Sequence, residues 1–81
     1  MHEEDREHDH LQRRQAAAHE RAAAVHDQAA MMHRHAAEFF DDHDKPGQAD
    51  RERDLADREA QEADADRRKA TAEPENPPSD A

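Results

Sequence analysis

Cysteine, tryptophan, tyrosine and isoleucine are absent from this 81-residue chain, and large apolar side chains are few. Without cysteine there is no disulfide framework, no thiolate metal site and no cysteine nucleophile. The hydrophobic residues are 18 alanines, three Met, two Leu, two Phe and one Val, so burial alone cannot offset the ordering of the remaining residues in an isolated monomer. That deficit excludes a conventional globular enzyme. Hydroxyl nucleophiles are limited to Thr71 and Ser79, and no glycine-rich phosphate loop exists, so no catalytic residues and no enzymatic activity are expected. The longest apolar runs, 22–25 and 29–32, are four residues each, against the roughly 18 needed to span a membrane. The start of the chain, His2-Glu3-Glu4-Asp5, is acidic where a secretory signal would be basic, and a cytoplasmic protein without membrane contact is expected.

Charge and helix-forming residues fill the space. The chain carries 12 basic and 22 acidic residues, eight histidines and a formal charge of −10. Its only basic cluster is Arg67-Arg68-Lys69, so no nucleic-acid partner is expected. High charge with few aromatics is also a signature of disorder. Against it, the single glycine is Gly47 and the four prolines are Pro46, Pro74, Pro77 and Pro78, leaving long stretches free of helix breakers.

The spacing predicts an all-α fold: a two-helix antiparallel hairpin over residues 1–72 with a heptad-like seam. Helices are expected at about 3–42 and 48–71, with a turn at 43–47 built on Pro46 and Gly47 and a disordered tail at 73–81. Folded back, the second helix should cover about Ala17 to Phe40 and leave the first fourteen or so residues of the chain overhanging.

A seven-residue repeat is the strongest pattern. From residue 15 the chain reads QAAAHER, AAAVHDQ, AAMMHRH, AAEFFDD. One column is Leu11, Ala18, Val25, Met32 and Phe39; a second is Gln15, Ala22, Ala29 and Ala36, flanked in phase by His8 and His43. Together they alternate spacings of four and three, the seam of packed helices. The second helix repeats the spacing with Ala49, Arg53, Ala56, Ala60, Ala63, Arg67 and Ala70, a seam with little area to bury. It is therefore expected to rest on the Met and Phe side of the first helix, with Leu11, Val25, Met32, Phe39, Phe40 and Leu55 as an interaction surface completed by another copy of the chain.

His19, His26 and His33 form a further column inside the apolar arc, followed by Phe40. Seven residues are about 10.5 Å of helix rise, so no two of the three reach one metal ion from a single helix. Converging ligands would have to come from the second helix, where Glu59, Glu62 and Asp66 are the nearest expected carboxylates. Solvated edge residues are the simplest reading. A zinc or nickel site at His19, His26 and His33 is the alternative, with looser chelation by His8, His10, His35 and His43. The three histidines could also respond to protons: buried in an apolar seam they resist charging, so assembly would hold above their folded pKa and weaken on acidification.

The stretch Ala36-Ala37-Glu38-Phe39-Phe40, with Pro46 and Ala49, is similar to the aromatic, turn and alanine portion of a tetratricopeptide-type hairpin. It lacks that family's Trp, Gly and Tyr and its period of about 34 residues. The chain as a whole resembles small Ala/His/Glu/Arg-rich helical hairpin proteins of actinobacteria, which carry no assigned activity. Neither resemblance transfers functional residues. The function expected is binding: self-association first, then a helical or basic protein partner. A histidine-rich metal-binding or pH-responsive protein and a hydrophilic stress-protectant chain are the alternatives.

Overall fold

The computed structural model of the chain describes residues 2–72, and side chains from residue 7 onward. It consists of two α-helices, α1 (His2–Asp42) and α2 (Pro46–Ala72), packed against each other. The tail expected at 73–81 lies outside the described residues. At about 1.5 Å per residue, α1 is about 60 Å long and α2 about 40 Å. Cross-helix pairs His19 with Asp66, His26 with Glu59 and His33 with Glu52 run in opposite directions along the two helices, so the hairpin is antiparallel.

The reversal is built differently from the expected Pro46-Gly47 turn. The Lys45 amide donates to the Phe40 carbonyl at 2.8 Å and the Asp44 amide to the Asp41 carbonyl at 3.3 Å. Asp44 has a φ of 59°. These are the two hydrogen bonds and the left-handed residue of a Schellman cap, which satisfies the last carbonyls of α1. Aspartate is one of the few residues other than glycine that tolerates this conformation. Pro46 and Gly47 both belong to the first turn of α2. Proline suits that turn because its fixed φ is helical and its missing amide has no intrahelical acceptor there. The Ala49 amide closes the first α2 bond onto the Lys45 carbonyl at 3.0 Å.

Among the described residues, the core is made of alanine alone. Ala23, Ala30 and Ala37 of α1 and Ala49, Ala56, Ala63 and Ala70 of α2 are the buried residues, each at most 5 % exposed. On each helix they recur every seven residues, and small side chains on both sides let the helices pack closely. Half-buried Ala16, His19, His26, His33 and Phe40 complete the inner face of α1, and Glu52, Glu59 and Asp66 that of α2. The packed seam thus alternates spacings of three and four: Ala16, His19, Ala23, His26, Ala30, His33, Ala37, Phe40.

This corrects the seam assignment from the sequence. Alpha2 rests on the alanine and histidine side of α1, not on the Met and Phe side. Its own second column is Glu52, Glu59 and Asp66 rather than Arg53, Ala60 and Arg67. The physical reason is size matching. Alanine facing alanine lets the two helices approach to a separation at which Val, Met or Phe would not fit between them, and Ala16, Ala23, Ala30 and Ala37 form the column on α1 that matches the alanine column of α2. In this register Ala70 lies near the level of Ala16, so Leu11 and the residues before it extend beyond α2.

Candidate functional site: two faces of the long helix

The inner face of α1 carries a ladder of histidine and carboxylate. Nδ1 of His26 lies 2.6 Å from Oε1 of Glu59, and Nδ1 of His33 lies 2.6 Å from Oε1 of Glu52. Nδ1 of His19 is 3.3 Å from Oδ1 of Asp66. The other oxygen of Asp66 stands 3.7 Å from Nε2 of His26, so Asp66 is shared between two histidines. The imidazole side chains are about 30 % exposed and Asp66 is 15 % exposed, partly shielded by the alanine seam.

Both ring nitrogens of His26 face carboxylates. Its pKa is raised above the ordinary value by the hydrogen bond with Glu59, with partial burial opposing and the charges of Glu59, Asp66 and Glu62 assisting. The resistance to charging expected of an apolar seam does not hold for this ring. Facing carboxylates favour the charged ring, where an apolar seam would have resisted it. Glu59 and Asp66 are among the carboxylates anticipated beside the histidines; Glu52 is the partner that sequence reasoning missed. Its signal was its place seven residues before Glu59, in phase with Asp66.

Among the described residues, no group of three or more His, Asp or Glu side chains is arranged to hold a metal ion. Instead, His19, His26 and His33 meet carboxylates in successive rungs, with Asp66 shared between His19 and His26. His43 has a different environment: its Nδ1 donates to the Phe39 carbonyl at 2.7 Å and its ring stacks on Phe39 at a centroid distance of 4.0 Å. His8 pairs with Gln12 one turn further along α1.

One flank of the hairpin is ionic. Arg67 pairs with Asp27 across the helices, and Arg53 bridges Asp41 at 2.9 Å and Asp50 at 2.8 Å. The guanidinium of Arg67 holds the Asp27 carboxyl below its ordinary pKa. These groups are half exposed, so they fix the relative rotation of the helices more than they add stability.

The outer face of α1 carries the larger apolar residues. Val25 is 67 % exposed and Met32 63 %, and Leu11, Phe39 and Met31 are also about half exposed. Leu55 is the exposed apolar residue of α2. Of the predicted interaction surface, Phe40 alone is turned partly inward, at the end of the inner seam and edge-on to Phe39. Ala22, Ala29 and Ala36 are half buried beside the outer column. Alpha1 therefore has two seams of the same seven-residue period, of which α2 occupies one. Toward the end of α2 the outer seam includes an open groove lined by Leu11, Arg14, Gln15, Ala18 and Arg21.

No described helix is long and apolar enough to cross a membrane. Comparison with known proteins finds no matching family model, no matching curated protein and no matching solved structure.

Proposed function

We propose that the chain is a non-catalytic helical module that self-associates through the outer seam of α1. The observation that carries this reading is the double patterning of that helix. Leu11, Ala18, Val25, Met32 and Phe39 keep an unbroken seven-residue period on a face that α2 does not use. A helix serving only as one half of a hairpin needs one apolar stripe, and a second in register is the pattern of a helix with two neighbours in a bundle.

Charge along the edge of the stripe favours a second copy as the neighbour. The column beside Val25 and Met32 reads Arg14, Arg21, Gln28, His35, Asp42, basic toward one end and acidic at the other. Two copies placed antiparallel about Gln28 set Arg14 of each against Asp42 of the other. Phe39 of each then lies level with Ala17 and Ala18 of its neighbour, so the two apolar columns face each other. A basic helical protein is the other occupant to be tested.

Sedimentation equilibrium of the full chain over a range of concentrations decides the matter. The expected result is a dimer or larger assembly that Val25→Asp or Met32→Asp weakens by about 30-fold or more, the factor for about 2 kcal/mol at a central interface residue. Circular dichroism should show the helices retained in both variants, because neither side chain is in the α1–α2 seam. A monomer at all concentrations, or an assembly indifferent to both substitutions, contradicts self-association through this face.

A further inference from the structure

The geometry points to His26 as a proton-operated clasp, whose charged ring bridges Glu59 and Asp66 of α2 and tightens the middle of the hairpin on acidification. A neutral imidazole has one N–H and one lone pair. Donated to Glu59 at 2.6 Å, the single N–H of neutral His26 leaves the Nε2 lone pair directed at the Asp66 carboxylate 3.7 Å away. Adding a proton replaces that repulsion with a second charge-assisted contact. Because the remaining oxygen of Asp66 meets His19 at 3.3 Å, the same proton also steadies the neighbouring rung.

The charged groups around the ring are mainly acidic. From α2, Glu59, Asp66 and Glu62 act on His26, and Glu52 continues the column at His33. On α1, Asp27 is adjacent, Glu20 adjoins His19 and Arg34 adjoins His33. Arg67, the α2 cation nearest Asp27, is engaged by that carboxylate. No cation is paired with Glu59 or Asp66 among the described contacts, so the histidines are their counter-charges.

The sign follows from linkage. His26 binds its proton more tightly in the folded hairpin than in the unfolded chain. Its contribution is therefore fully present below the unfolded value of about 6.5 and is lost as pH rises through the higher folded value. The clasp operates within one chain, so it stands or falls independently of what covers the outer seam.

The test is thermal unfolding of the full chain and of His26→Gln from about pH 5.5 to about pH 8.5, a window that brackets histidine titration. Falling pH also reduces the repulsion within a chain of formal charge −10, but the variant shares that effect, so the gap between the two midpoints isolates the clasp. The expected gap is largest at the acid end, with wild type the more stable, and closes toward the alkaline end. A gap that is constant or widens with pH overturns the proposal.

A second readout guards against a variant that fails to fold. In the wild-type protein, the ring protons of His26 followed by NMR should titrate with a midpoint above about 6.5, and Glu59→Gln should bring that midpoint down toward it. A wild-type midpoint at or below about 6.5, or one unmoved by Glu59→Gln, overturns the proposal equally.

Discussion

Alanine has a structural task here that a larger residue could not perform. Ala30 and Ala56 are buried to within 2 % in the middle of the hairpin, each on a column of alanines. Added methylenes at such a position force the helices apart and separate the histidine and carboxylate rungs on either side. Ala30→Leu should therefore destabilise the hairpin by about 1 to 3 kcal/mol despite its greater hydrophobicity. Ala24→Leu, on the exposed side of the same helix, should stay within about 0.5 kcal/mol of wild type. Urea unfolding of the two variants checks the contrast. A stabilising Ala30→Leu would mean the seam has space to fill. The sequence displays these alanines as a poverty of core; their task becomes visible only when both helices are seen to carry an alanine column in matching phase.

At the scale of the element, the helices themselves were legible, and their connection less so. Long stretches of Ala, Glu, Arg, Gln and Met without breakers dictate α1 and α2, and Pro46 marks where the second begins. Pro46 and Gly47 mark the turn as the breakers between two helix-forming stretches, and glycine is the residue that commonly supplies a left-handed cap. Asp44 supplies it instead, and nothing in a single sequence distinguishes an aspartate that caps a helix from one on a solvated face. Two substitutions follow from this. Asp44→Gly should stabilise the hairpin by about 0.5 to 1 kcal/mol by relieving the left-handed position of a side chain. Gly47→Ala should add about 0.4 to 1 kcal/mol, since a Cβ there meets no atom within 4 Å and Gly47 has no positive φ. Thermal unfolding of each single variant measures both effects. A loss of stability in Gly47→Ala would contradict the assignment of Pro46 and Gly47 to the first turn of α2.

For the molecule as a whole, the seven-residue repeat was legible and its phase was not. Period depends only on spacing, whereas phase depends on which column meets the partner helix. Hydrophobic spacing points to Leu11, Val25, Met32 and Phe39 as the face that α2 rests on and another copy completes; matching sizes and charges across the helices selects the alanines and histidines for the contact with α2. His19, His26 and His33 against Asp66, Glu59 and Glu52 form a set of opposite groups at equal spacing in reverse order. That complementarity was in the sequence, but it emerges only from comparing the two helices as partners. The consequence is a division of labour on α1, with small residues and proton-binding groups inward and the larger apolar side chains outward.

The absence of native cysteine allows this division to be tested without background chemistry. Ala30 and Ala56 lie between the same two rungs, those of His26 with Glu59 and His33 with Glu52, on facing helices. A chain carrying both Ala30→Cys and Ala56→Cys should oxidise readily to an intrachain disulfide, seen as loss of free thiol at unchanged monomer mass under denaturing conditions. The control pairing Val25→Cys with Ala56→Cys should resist intrachain closure, because Val25 points away from α2. Rapid intrachain closure of the control with a slow Ala30–Ala56 pair would place the Val and Met face inside and contradict the account.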